Sequence, residues 1–156
     1  MNKYFKEVLI VAFFTAIFGQ INFYPFGTEF RISIAVILFP FLLLYFKNLA
    51  IAETAVLVSG FVVITRITLD IILRRFGLEA SFMRHLPSSF FYICYGIIID
   101  RLKLRVHTDK PLIFLVILTF ADITSNFLEL IIRNHFITNP YEPILKTIVL
   151  TAIIRS

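Results

Sequence analysis

Tryptophan is missing from this chain of 156 residues, and cysteine occurs once. Cys94 sits inside an apolar run without a second cysteine, which excludes both a disulfide framework and a Cys-rich metal site. Charge is scarce as well. Only 16% of residues are charged, too few to clothe a soluble domain of this size. A removable leader is not expected either: the first apolar run is followed by Gln20-Ile-Asn-Phe-Tyr-Pro25, with no small-residue cleavage site, so Met1 to Lys6 reads as a short cytoplasmic start. Catalytic signatures are absent. There is no H-E-x-x-H helix, no G-x-S-x-G elbow and no glycine-rich phosphate loop, and His85, His107 and His135 stand apart in loops or at segment ends. The chain is therefore not read as an enzyme, and no cofactor or metal is expected. Internal repeats, low-complexity tracts and a soluble domain are also missing.

What is there is apolar: 59% hydrophobic residues, 19 phenylalanines and a mean hydropathy of +0.90. A bilayer explains that composition, and membrane lipid is the first expected partner. A helix needs about 17–25 residues to cross the hydrocarbon, and six runs approach this length. They are Glu7–Tyr24, Ile32–Phe46, Leu49–Arg75, Leu86–Ile99, Pro111–Arg133 and Pro143–Ile154. The expectation is one all-α, polytopic membrane domain over residues 1–156. Pro87, Pro111 and Pro143 read as first-turn prolines, where a missing N–H does no harm. Pro40 falls within the second run and should kink it or free a carbonyl.

The stretch Gly19–Ser33 between the first two runs carries an amide pair, Pro25, Gly27, Glu29 and Arg31, and is expected to turn the chain at one membrane face. Basic residues orient the domain. With the N-terminus inside, Lys3, Lys6, Lys47, Arg101, Lys103, Arg105, Lys110 and Arg155 fall on the cytoplasmic side, against Arg31, Arg74, Arg75, Arg84 and Arg133 outside. The net charge of +5 is accounted for by this topology, and nucleic acid is not an expected partner.

Charges at membrane depth are costly and usually face a cavity or a partner. Asp122, Asn126, Glu129 and Arg133 follow one another at spacings of four, three and four, which puts them on one face of the fifth run. Arg66 and Asp70 stand one turn apart on the third, Lys146 lies on the sixth, and Gln20, Asn22 and Arg31 surround the first turn. The expected ligand set is Gln20, Asn22, Arg31, Arg66, Asp70, Asp122, Asn126, Glu129 and Lys146, forming a cup open to the outside. Opposite charges from several segments suit a zwitterion such as an amino acid. Plainer roles compete: Arg66–Asp70 and Glu129–Arg133 as ordinary ion pairs, Lys146 snorkelling to the interface.

Gly19-Gln-Ile-Asn-Phe-Tyr-Pro-Phe26, the following Phe30-Arg-Ile-Ser33, and Asp122-x-x-Ser-Asn126-x-x-Glu129 resemble the amino-terminal membrane region of a group of sensor histidine kinases from Gram-positive bacteria, over the whole chain. The resemblance implies a two-component system whose cytoplasmic kinase, with its phosphoacceptor His and ATP-binding glycines, lies outside these residues. The six-segment plan is also similar to the substrate-binding component of energy-coupling-factor vitamin transporters. There a small-x-x-x-small pair on the first helix meets the transport module, and Ala12-Phe-Phe-Thr-Ala16 has that spacing. A sensor of a small polar extracellular solute is the leading expectation and a transporter's substrate-binding subunit the alternative, with a homodimer or a partner membrane subunit as further partners.

Overall fold

The structure, a computed structural model, describes residues 2–23 and 32–136. Helix α1 (Lys3–Phe18) opens on Asn2, whose side-chain oxygen accepts from the Tyr4 N–H at 3.3 Å, an N-cap that satisfies one orphan donor. The helix is spent at Gly19, earlier than the expected Tyr24. Beyond it, Asn22–Phe23 pairs antiparallel with Ile32–Ser33, so the turning stretch is closed by a two-residue ladder. Helix α2 (Ile34–Tyr45) follows and holds Pro40 in its interior, as expected. Helix α3 spans Ile51–Ile72, α4 Leu78–Arg101 and α5 Pro111–Phe136, with a short 3-10 turn at Leu104–His107 between the last two. Among the described residues the fold is all-α apart from that ladder. The expected sixth run, Pro143–Ile154, lies outside the described residues.

One boundary needs correction. Pro87 does not start a helix: α4 begins at Leu78, and Pro87 sits in its interior. Pro87 has no N–H for the carbonyl four residues back, but the next turn is knit by Ser88 and Ser89, whose hydroxyls donate to the His85 and Leu86 carbonyls at 2.7 Å each. Pro111, by contrast, does occupy the first helical position of α5.

The most extensive helix–helix contact joins α3 to α4; α5 packs on α4, and α1 on α3 and α2. Gly96 sets the α3–α4 approach, since a Cβ there would lie 2.1 Å from the Ala55 Cβ. Phe39 of α2 reaches across to α4, with its ring 5.6 Å from Tyr92 and 6.2 Å from Tyr95. Thr15, Thr54, Ser59, Ser81, Ser88, Ser89 and Ser125 are buried, whereas Phe13, Phe41, Ile64, Leu112, Val116 and Phe120 point outward. The interior thus mixes small hydroxyl side chains with an apolar core that includes Phe39, Leu43, Leu49, Phe91 and Ile99, while many large apolar side chains also face outward. Two helices, Ile51–Ile72 and Pro111–Arg133 within α5, are long and apolar enough to cross a membrane. Their most apolar windows are only 33% and 28% buried, so most of that surface faces away from the protein.

Contacts sort the loops into two ends. Tyr4 donates to Glu53 at 3.1 Å, bringing the starts of α1 and α3 together. The Arg105 guanidinium donates to the Leu43 and Phe46 carbonyls at 2.7 and 3.1 Å, bringing the α4–α5 connection to the end of α2. At the opposite end, Arg66 meets the Gly19 carbonyl and Asp70 meets His85.

Candidate functional site

Two polar groups interrupt the apolar helices. The first sits between α1, α3 and α4. At 1.5 Å per residue, Arg66 and Asp70 lie about 22 and 28 Å along α3 from Ile51, near its far end. Arg66 donates to the Gly19 carbonyl at 3.4 Å, and Gln20 beside it turns its amide back to the Ala16 carbonyl at 3.3 Å. Asp70 is buried and hydrogen-bonds to His85 of α4, with Nε2 to Oδ2 at 2.8 Å. Arg66 and Asp70, expected in the ligand set with a mutual ion pair as the plainer alternative, thus point to different partners.

The second group runs along α5. Asp122 is 2% exposed and lies about 16 Å from Pro111, near the middle of a bilayer-length helix. The Asn126 side-chain amide donates to the Asp122 Oδ1 at 2.9 Å and to its backbone carbonyl at 2.7 Å, a contact that their four-residue spacing on one helix face permits. One turn further, Glu129 pairs with Arg133. The seam therefore grades from fully buried at Asp122 to exposed at Arg133, and Ser125, also buried, stands beside it.

Between α2 and α5 lies a cleft of about 100 Å³, with Asp122 and Tyr95 in its lining and apolar residues elsewhere, among them Val36, Pro40 and Leu118. The two polar groups occupy different helix faces: α3 contributes to one, α2 and α5 to the other, and α4 touches both through His85 and Tyr95. Of the expected ligand set, Gln20, Arg66 and Asp70 gather in the first group, and Asp122, Asn126 and Glu129 in the second. Asn22 enters through its backbone pairing with Ser33. Arg31 and Lys146 lie outside the described residues.

Sequence reading missed His85 as a site residue because its partner is fifteen residues away. The signal was present: Asp70 and His85 stand almost equally far on either side of Gly77, so an α3–α4 hairpin must bring them level. Arg105, read as a topology signal, proves to finish α2 by binding its last carbonyls; burial lowers its pKa, opposed by the nearby charge of Asp100. Ala12 and Ala16 are 2% and 1% exposed, packed inside the chain rather than offered to a partner. Among the described residues no three His, Cys, Asp or Glu side chains gather as metal ligands. Comparison with protein-family models, with curated proteins and with solved structures finds no match.

Proposed function

We propose that this chain is a six-helix membrane-embedded sensory domain that binds a small polar solute from outside the cell and signals to a cytoplasmic histidine kinase module. The observation that carries the reading is the placement of two buried acids, Asp70 and Asp122, each hydrogen-bonded within helices whose outer surfaces are apolar. Buried ionisable groups inside a membrane are expensive, and function is the usual reason to keep them.

Orientation follows from the bases. Lys3, Lys6, Lys47, Arg101, Lys103, Arg105 and Lys110 collect at the end fastened by Arg105, and outnumber Arg74, Arg75, Arg84 and Arg133 at the other. The fastened end is then cytoplasmic, with the chain multi-pass and both termini inside. The polar groups of α3 and α5 fall in the middle and outer half; the proposed ligand-binding residues are Gln20, Arg66 and Asp70 of the first group and Asp122, Asn126 and Glu129 of the second, with Asn22, Arg31 and Lys146 added from the sequence alone. The resemblance to sensor-kinase membrane regions supports signalling, and the inward-facing Ala12 and Ala16 count against docking of a transport module on that face.

The test is a thermal-shift screen of the chain in nanodiscs against a panel of amino acids and other small zwitterions. One solute class should raise the melting temperature, and Asp70→Asn and Arg66→Gln should each abolish the shift. No shift with any zwitterion would remove the ligand-sensing reading. A shift that Ala12→Leu with Ala16→Leu abolishes, together with solute uptake that the same pair eliminates, would promote the transporter subunit in its place.

A further inference from the structure

The connection between α3 and α4 is exposed from end to end. Every residue from Ile71 to Ala80 lies open, and Leu73, Phe76 and Leu78 are interleaved there with Arg74 and Arg75. Arg74 turns the chain with a left-handed φ of 52°, and the guanidinium of Arg84, from the second turn of α4, stands 4.7 Å from the centre of the Phe76 ring. That contact draws a third arginine to the two in the turn. Phe82, one turn beyond Leu78 on the same face of α4, extends the apolar surface, and Glu79 is the one acid in the stretch. These arginines run against the charge rule. On the proposed orientation basic residues are kept mainly inside, yet Arg74, Arg75, Arg84 and Arg133 lie at the outer end. Arg133 has Glu129 for a partner, whereas no carboxylate of the described residues is in salt-bridge range of the other three. α3, long and apolar enough to cross a membrane, ends at Ile72, so the arginines begin where the hydrocarbon ends.

We propose that the α3–α4 tip docks on anionic phospholipid headgroups, with Arg74, Arg75 and Arg84 holding the phosphate groups while Leu73, Phe76, Leu78 and Phe82 enter the boundary between headgroups and acyl chains. Guanidinium groups match phosphate oxygens through paired N–H donors. The apolar side chains between them decide for a lipid over an acidic protein segment, because a bilayer surface sets phosphate directly above hydrocarbon. Occupancy of this surface does not require a solute at the Arg66–Asp70–His85 group, so the inference goes beyond the sensory reading.

The missing tryptophan supplies a clean reporter. Leu78→Trp, at a position 66% exposed, gives a single fluorophore in the full chain, in nanodiscs of phosphatidylcholine mixed equally with phosphatidylglycerol. Bromine atoms on the acyl chains of one lipid or the other then report which lies beside it. Brominated phosphatidylglycerol should quench at least about twofold more than brominated phosphatidylcholine, since each base near a bilayer surface attracts anionic lipid. Phe120→Trp, exposed near the middle of α5, should be quenched equally by both. In the Leu78→Trp chain, Arg74→Gln, Arg75→Gln and Arg84→Gln combined should abolish the preference, Glu79→Gln should increase it, and raised salt should reduce it. Circular dichroism checks that the triple variant is folded; where it is not, the Glu79→Gln and salt arms decide. A nanodisc offers the same lipids on both faces, so the result does not depend on orientation. Equal quenching of Leu78→Trp by the two brominated lipids, or a preference that the arginine variants retain, would overturn the lipid surface. Quenching at Phe120→Trp with none at Leu78→Trp would also overturn it and leave the arginines for an acidic protein segment, and no quenching at either would remove the membrane reading with it. The solute-induced thermal shift is a separate readout, so the ligand-sensing reading is tested by itself.

Discussion

The two ends of the bundle use charge differently. At the fastened end, Arg105 closes α2 by binding the Leu43 and Phe46 carbonyls, and Tyr4 ties α1 to Glu53 of α3. Each contact completes a backbone or joins two helix starts. Toward the other end, Asp70 meets His85 and Asp122 meets Asn126, pairs that finish no helix. Arg105 works where backbone carbonyls already need a donor, so its burial is repaid locally. Asp70 and Asp122 answer no such backbone need, which is why function is assigned to them.

Substitutions can break this contrast in order of size. The largest loss is expected from Gly96→Leu, because even a methyl group would collide with Ala55 and α3 and α4 would have to separate. Overpacking costs about 1–3 kcal/mol, and a leucine at this distance should reach or pass the upper value, measured as loss of the folded fraction in detergent unfolding titrations. Arg105→Ala comes next. It leaves the Leu43 and Phe46 carbonyls without their charged donor, and unfolding in the same titration should show a loss of about 1.5–3 kcal/mol. Lysine should rescue part of it, since both carbonyls accept from one guanidinium nitrogen and an ammonium also carries several donors, though on a shorter and more strongly hydrated head.

Asp70→Ala at the other end strands His85 and should cost about 1–3 kcal/mol. The distinguishing outcome is functional: Asp70→Ala should abolish the solute-induced thermal shift, while Arg105→Ala lowers the melting temperature and retains the shift. The smallest effect is a gain. Arg74 and Lys103 both have φ of 52°, the left-handed region, just beyond α3 and α4. At Arg74 the cap is a Schellman motif, with the Arg74 N–H on the Ile71 carbonyl and the Arg75 N–H on Asp70. Glycine at either position should stabilise by about 0.5–1 kcal/mol, read from the same unfolding curves.

How much of this was legible in the sequence depended on the range of the signal. α3 and α5 announced themselves through long apolar runs, and Pro111 marked its helix start correctly because the preceding 3-10 turn ends at His107 and does not run into α5. α4 was misread because Leu78–His85 mixes Glu79, Ser81, Arg84 and His85 into its first turns, so hydropathy fades there and Pro87 looked like the beginning. The shared face of Asp122 and Asn126 was visible because it is local, four residues apart on one helix; the hydrogen bond between them is seen only in the structure. Asp70–His85 and Arg105–Leu43 were not seen, because each joins two helices and requires knowing which ends lie together. The expected single cup drew Arg66, Asp70 and Asp122 into one space; the packing of α3 and α5 against α4 sets them into two groups instead.

The central claim, that the end bearing Asp70 and His85 faces outward from a membrane while the end fastened by Arg105 faces the cytoplasm, is most directly tested by paired cysteine labelling. Single cysteines at Gly77, in the α3–α4 turn, and at Thr108, in the α4–α5 connection, are placed in a Cys94→Ser background and exposed to an impermeant maleimide in intact cells. The account predicts labelling at position 77 and none at 108 until the cells are lysed. Labelling at 108 with protection at 77 would invert the orientation and contradict an outward-facing ligand site, and equal labelling at both would contradict the membrane-spanning arrangement itself.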